Sequence, residues 1–204
     1  MRSRCVVLAL LAVFLVVTAG QTVSGSVAVH FSPGIREHII PLLDGAQESV
    51  DLAVYAFTDS DLASAVVRAH QRGVKVRVVM DARHSANRDS LDEFLAGRGV
   101  EVGLDRGQGK KGMMHHKFAV IDGATVVAGS FDWTANAEEK NHADALIISE
   151  AGAAALYAAE FQRLWDEAQM IDPFKLAPKV PFQPAEEAFG AGYGWCERCC
   201  PASP

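Results

Sequence analysis

Short apolar runs rich in β-branched residues alternate with helix-like runs along most of the chain, and this alternation limits the possible folds most strongly. Their Val, Ile and aromatic content predicts strands at residues 26–31, 49–57, 74–80, 100–104 and 143–149. Helix-like patterns occupy the intervals between them, at residues 34–47, 62–73, 90–97 and 151–168. Strands that alternate with helices predict an α/β fold with a β-sheet sandwiched between helices.

The segment 114–134, MHHKFAVIDGATVVAGSFDWT, has the pattern of a β-hairpin. Two apolar, β-branched runs flank Asp122-Gly123, a dipeptide typical of two-residue hairpin turns. A hairpin contributes antiparallel strands to a chain whose other strands follow helices. The predicted sheet is therefore mixed.

The entrance of the hairpin carries His115, His116 and Lys117 in succession. Side chains alternate along a strand, so His115 and Lys117 are expected on one face and His116 on the other. A two-residue turn would place Ser130 opposite His115 on that same face. The alternation thus predicts a polar patch of His115, Lys117 and Ser130, although a His and a Lys can also simply mark where a strand reaches water.

An imidazole, an ammonium and a hydroxyl in one patch suit attack at phosphorus. Neutral imidazole is a competent nucleophile near pH 7. The Lys117 ammonium would hold phosphate oxygens and stabilise their charge in the transition state. A leaving alkoxide also needs a proton from a second group, which this patch does not contain.

The pattern His115-x-Lys117-x4-Asp122, followed by Gly129-Ser130 and FDWTANAEEKN, resembles the phospholipase D superfamily motif. The resemblance extends over residues 31–165 and is strongest to a small, exported bacterial endonuclease branch with one motif per chain. It implies a phospholipase D-like fold.

The resemblance also implies a mechanism. Single-motif members form homodimers, so that His115 of one subunit would attack phosphorus and form a phosphohistidine, while the second subunit's histidine protonates the leaving oxygen. Lys117 of both subunits would grip the phosphate, and neither a metal nor another cofactor would be needed. The resemblance groups Asp122 with these catalytic residues in a supporting role, although Asp122 can equally be read as a turn residue.

Two positions depart from the superfamily pattern. The Ser130 hydroxyl and the side chain at position 132 are the predicted substrate-binding groups. Asp132 stands two residues after the Ser, where the superfamily usually has an Asn. Its carboxylate would repel a phosphate unless it were protonated or turned away. Ala143 stands where a Glu usually orients a histidine. These departures leave open the interpretation that the chain is a binding protein, which keeps the fold but does not catalyse the reaction.

The ends of the chain differ in composition from residues 26–171, the predicted catalytic domain. Two arginines and an apolar run in residues 1–25 are typical of a secretory signal peptide, with an uncleaved anchor as the alternative. This leader predicts export to the periplasm or medium. The tail, 172–204, is rich in Pro and Gly and ends with three cysteines, for which a local disulfide or an inert tail is expected: Cys196, Cys199 and Cys200.

The charge distribution bears on the substrate. The net charge is −6, yet residues 68–111 carry ten Lys and Arg against six Asp and Glu. A locally basic segment ahead of the motif favours a polyanionic partner. The prediction is a non-specific endonuclease acting on nucleic acid, with a phospholipase D acting on phospholipid headgroups as the alternative.

Overall fold

The computed structural model describes residues 25–172. Residues 1–24 of the predicted leader, most of the predicted tail and the three C-terminal cysteines lie outside these residues. None of the helices between residues 25 and 172 has the length and apolar character that a bilayer span requires.

Strands and helices alternate through the first half of this region and then give way to the hairpin. The strands are β1 (Ser26–Phe31), β2 (Ser49–Val54), β3 (Lys75–Asp81), β4 (Glu101–Asp105), β5 (Lys117–Ile121), β6 (Thr125–Gly129), β7 (Asp144–Ser149) and β8 (Gln169–Met170). The helices are α1 (Ile35–Gly45), α2 (Ser60–Gln71), α3 (Asp92–Gly97), α4 (Ala135–Glu139) and α5 (Ala151–Glu167), with a 3-10 turn at His84–Ala86.

The described strands form one mixed sheet in the order β1-β7-β6-β5-β2-β3-β4-β8. Strands β2, β3 and β4 run parallel, as βαβ units require, and the other neighbours pair antiparallel. The mixed sheet confirms the prediction from the sequence. Strand β8 has two residues, too few to give a periodic signal, and the sequence did not predict it.

Helices cover both faces of the sheet. On one face, α1 and α2 bury an apolar layer with Ile39, Leu52 and Leu62 at its centre. On the other face, α5 packs Phe161 against the layer that contains Phe118. This arrangement confirms the predicted sandwich.

The hairpin turn is one residue longer than the sequence predicts. Ile121 pairs with Thr125, so the loop contains three residues, and Lys117 lies opposite Gly129 in this register. The predicted pairing of His115 with Ser130 is therefore wrong. Because facing pairs share a side of the sheet, the extra residue moves Ser130 out of line with His115.

Asp122 explains why the turn is longer. Its backbone adopts a φ of 52°, a left-handed conformation that Asp tolerates better than most residues. Its carboxylate accepts hydrogen bonds from the backbone N–H groups of Gln47, Glu48 and Ser49, at 2.8 to 3.1 Å. Partial burial raises the pKa of Asp122, but these hydrogen bonds outweigh burial and leave the pKa below its ordinary value.

We expect the Asp122→Asn variant to lose stability on the order of 1 kcal/mol at pH 7, since a neutral amide accepts these bonds less strongly. Folding lowers the pKa of the Asp122 carboxyl group. Its contribution to the free energy of unfolding is therefore complete above the unfolded-state pKa of about 3.9, and it is lost as the pH falls through the folded-state pKa. The difference from wild type should shrink below about pH 4 in denaturant titrations. A Glu48→Gln variant, which removes a charge from the segment that Asp122 binds and keeps the backbone N–H group, is the control; an equal loss there would contradict the assignment.

Candidate active site

The ends of several strands meet at one edge of the sheet. Lys117 is the first residue of β5 and pairs with Val54, the last residue of β2. Strand β6 ends beside them at Gly129, and β7 begins there at Asp144. The loops at these strand ends can therefore place polar side chains next to Lys117 although the sheet interior is apolar.

His115 and Lys117 are in direct contact. The Lys117 ammonium donates to Nε2 of His115 at 3.2 Å and to the His115 carbonyl oxygen at 3.3 Å. An ammonium can only donate, so Nε2 is the acceptor, and a neutral His115 ring carries its proton on Nδ1. The Lys117 side chain is only 9% exposed. The structure thus brings together an imidazole lone pair and a nearly buried positive charge.

Tyr55 supports both of these side chains. Its ring centroid lies 4.7 Å from that of His115, and the Lys117 Nζ lies 4.9 Å from the Tyr55 centroid, a cation–π distance. Its backbone N–H donates to the His116 carbonyl at 2.9 Å and so extends the pairing of β2 with β5. Sequence reasoning missed Tyr55. Its position just after a parallel strand was the available signal, because side chains at such ends often reach a site.

Asp132 lies in the site, but it faces Lys117. Its Oδ1 is 3.3 Å from the Lys117 Nζ, and its side chain is 29% exposed. The two groups form an ion pair that partly neutralises the ammonium. The carboxylate at this unusual position therefore acts as the counter-ion of Lys117 in the structure.

Ser130 is engaged elsewhere. Its hydroxyl donates to the Asp144 carboxylate and accepts from the Asp144 backbone N–H at 3.0 Å. The preceding Gly129 lies so close to the Asp144 carbonyl oxygen that a Cβ there would clash. The predicted patch is corrected accordingly: His115 and Lys117 are in contact, while Ser130 binds the start of β7.

Asp122 lies at the opposite end of β5. The five-residue step from Lys117 to Asp122 corresponds to about 16 Å of extended chain. Its carboxylate binds the backbone N–H groups of Glu48 and Ser49, at the start of β2, and a supporting catalytic role for Asp122 stays a prediction. His116 points to the other face, as the alternation predicts, and its Nε2 lies 3.1 Å from Glu160 of α5.

A carboxylate partner for the His115 ring is absent among residues 25–172, where the ring contacts Tyr55 and Lys117. Ala143, at the position where a Glu would orient a histidine, is 8% exposed and donates its N–H to the Ser32 hydroxyl. Packing against Tyr55 and the contact with Lys117 therefore fix the ring in place of an acid.

A buried carboxylate positions the entrance to the hairpin. Asp81, which ends β3, is 1% exposed. One of its oxygens accepts from the backbone N–H groups of Arg83 and His84, at 3.0 and 2.9 Å, and the other accepts from that of Met114 at 3.0 Å. Asp81 thus links the turn after β3 to the residue that precedes His115.

The loop before Met114 adds positive charge to this edge. The Arg83 guanidinium donates to the carbonyl oxygens of Lys110 and Lys111, at 3.3 and 3.4 Å. Within residues 25–172 these three cations have no carboxylate partner. They form a basic surface that remains available to an anion.

An open cavity of about 730 Å³ adjoins the His115–Lys117 pair. Tyr55 and Asp132, which contact that pair, are part of its wall. The full lining comprises Tyr55, Ala56, Thr58, His84, Asn87, Arg88, Asp89, Asp132, Thr134, Asn136 and Asn141. Within the described residues no three His, Cys, Asp or Glu side chains gather as they do in metal sites.

Residues 39–165 match the family model described as the cardiolipin synthase, phospholipase D-like domain. Curated relatives include the mitochondrial cardiolipin hydrolases of Xenopus tropicalis, 41% identical over 63% of this chain and 60% of the relative, and of Homo sapiens, 33% identical over 79% and 64%. The chain thus spans about 60% of the length of these relatives.

Two solved structures share the fold. Nuc from Salmonella typhimurium, a phospholipase D family member, is 30% identical with a TM-score of 0.68, over 72% of this chain and 98% of that one. NucT from Helicobacter pylori is 26% identical with a TM-score of 0.69, over 72% and 99%. The resemblance to the superfamily is confirmed, whereas the narrower assignment to the bacterial endonuclease branch stays a prediction.

The predicted export to the periplasm or medium is wrong. The leader pattern at residues 1–25 suggested it, but the relatives just described are named mitochondrial proteins. A short apolar run with two arginines is a compositional signal, and composition alone does not identify the compartment to which a leader directs a protein.

The Lys117–Asp132 ion pair makes a testable prediction about stability. Lys117→Met should destabilise the fold by about 1–3 kcal/mol, because it leaves a partly buried carboxylate without its partner. The Asp132→Asn change should cost less in that background than in wild type, so a double-mutant cycle of unfolding free energies should show coupling. Additive effects would mean that the two charges do not interact.

Proposed function

The chain belongs to the phospholipase D superfamily, and we propose that its residues 26–171 form a metal-independent phosphodiesterase that cleaves an anionic phospholipid of the cardiolipin type. The observation that carries this proposal is the 3.2 Å contact between His115 Nε2 and the Lys117 ammonium beside an open cavity. The names of the relatives support a lipid substrate, and the unpaired cations nearby suit an anionic membrane surface.

In the first step, His115 Nε2 attacks phosphorus, and the bond from phosphorus to the alcohol oxygen breaks. Nε2 is the nitrogen that faces Lys117, so the attacking lone pair and the ammonium act on one phosphate group. Lys117 exchanges its contact with Asp132 for the phosphate oxygens, whose charge it stabilises. The leaving oxygen takes a proton, and a phosphohistidine remains on the enzyme.

In the second step, water attacks the phosphohistidine, and the nitrogen–phosphorus bond breaks. The products are a phosphate monoester and a free histidine, and the proton from water returns to the group that donated one earlier. Splitting one displacement into two lets a single acid–base group serve both steps.

We assign that acid–base group to a second copy of the chain. Within residues 25–172, the His115 ring contacts Lys117 and Tyr55 and makes no hydrogen bond to a carboxyl group or to another imidazole. In a homodimer the partner's His115 would approach the leaving oxygen from the opposite side of the phosphate. Two ammonium groups, one from each subunit, would then surround the phosphate.

A mitochondrial location is part of the same proposal. It follows from the names of the relatives, whose match covers most of the described region. Nucleic acid is the second candidate substrate, and the specific observation in its favour is the basic surface of Arg83, Lys110 and Lys111, which have no acidic partner among the described residues.

Purified protein in EDTA should release phosphatidate from vesicles that contain cardiolipin, as measured by mass spectrometry. His115→Asn should lower the rate by at least about 10³-fold, because it removes the nucleophile. His116→Asn is the matched control and should stay within about twofold of wild type, since that ring faces Glu160 on the other side of the sheet. Full activity in His115→Asn would refute the mechanism. Cleavage of a single-stranded oligonucleotide alone would favour the second candidate.

The homodimer can be tested by sedimentation and by mixing subunits. The expected mass is twice the 21.9 kDa of the chain. When His115→Asn subunits are exchanged into wild-type protein, activity should fall below the fraction of wild-type chains, because a mixed dimer has one working imidazole. A monomer with undiminished activity would require a proton donor within one chain.

A further inference from the structure

All three asparagines of the chain line one cavity. Asn87 follows the 3-10 turn after β3, Asn136 lies in α4, and Asn141 precedes β7. Their side-chain amides make no hydrogen bond to other described residues. Two connections far apart in sequence, the one after β3 and the one between β6 and β7, thus bring unused amide groups to a single space of about 730 Å³.

This space begins at the proposed reacting groups. Tyr55 contacts both His115 and Lys117 and is part of the cavity wall. Asp132 lies 3.3 Å from the Lys117 Nζ and is also part of the wall. A phosphate held by Lys117 would therefore direct one of its ester groups into the cavity.

The chemistry of the wall suits a neutral, hydroxylated group. Each amide offers both donors and an acceptor, which is what alcohol groups need as partners. The wall has no net negative charge that would select a cationic headgroup, because Arg88 offsets Asp89 and the Asp132 carboxylate is paired with Lys117. The face of the Tyr55 ring, which could hold a quaternary ammonium, already lies under the Lys117 Nζ at 4.9 Å.

We propose that this cavity binds the hydroxyl-bearing glycerol headgroup of an anionic phospholipid, and that Asn87 and Asn136 contribute to its recognition. The inference rests on the proposed phosphodiesterase function and names the part of the substrate that decides specificity. Hydrolysis breaks the bond between phosphorus and the headgroup oxygen: the water oxygen ends on phosphorus, and the glycerol-containing alcohol leaves with the proton it gains.

A pair of matched lipids isolates the recognition of hydroxyl groups. Phosphatidylglycerol and phosphatidylpropanol have the same charge and can carry the same acyl chains, and their headgroups differ only in two hydroxyls. We expect wild-type kcat/KM to be about tenfold higher for phosphatidylglycerol in otherwise identical vesicles, the effect of one to two neutral hydrogen bonds. Phosphatidylcholine should be cleaved more slowly than either.

Variants then assign the preference to the amides. The Asn87→Ala, Asn136→Ala double variant should lose most of the preference, so that the ratio of the two kcat/KM values falls about tenfold. Gln71→Ala removes an exposed amide from α2, away from the cavity, and should leave the ratio unchanged. The ratio is informative even if the double variant is less stable, because a smaller fraction of folded enzyme lowers both kcat/KM values by the same factor.

The outcomes separate the two proposals. If wild type cleaves neither cardiolipin nor the matched lipids, the proposed function fails; if it cleaves cardiolipin but neither matched lipid, the glycerol site is refuted. If it cleaves both lipids equally well, or if the double variant keeps the wild-type ratio, the glycerol site is refuted while the phosphodiesterase stands. A preference for RNA over DNA oligonucleotides together with equal rates on the two lipids would also overturn the glycerol site, and would assign the cavity to a ribose.

Discussion

The burial of β5 on both faces is the constraint on which the site depends. Phe118 through Ile121 are at most 4% exposed, since helices cover the sheet on either side. A strand in that position can carry charged side chains only at its ends. Lys117 occupies one end and Asp122 the other, so the spacing of the motif equals the length of a buried strand. Lys117 thus lies at the candidate site, whereas Asp122 binds the backbone at the start of β2.

The sequence was informative where a pattern repeats. Alternating apolar runs predicted the layers and the mixed sheet, and the two-residue period of β5 predicted that His115 and Lys117 would share a side. Turn chemistry was less reliable. Asp122-Gly123 is compatible with loops of two or three residues, and only the hydrogen bonds to the chain ahead of β2 decide between them. That single residue determined whether Ser130 joined the site.

The rest of the site comes from loops and has no periodicity. Tyr55 follows β2 and Asn87 follows β3, whereas Asp132, Asn136 and Asn141 lie between β6 and β7, and only the tertiary fold brings these connections to one edge of the sheet. The role of Asp132 could not be read from its type, because a carboxylate beside a phosphate site is either repulsive or paired. Its distance from the Lys117 Nζ decides in favour of pairing.

The first strand of the sheet finds its partner late in the chain. Phe31 of β1 pairs with Asp144 of β7, and the Ser32 hydroxyl bonds across a separation of 111 residues to the backbone beside it. On the ribosome, β2, β3 and β4 can assemble with their helices while β1 has no partner. Its alternate side chains Val27, Val29 and Phe31, more than half exposed even in the folded chain, make this interval the stage of synthesis at which a chaperone would be most useful.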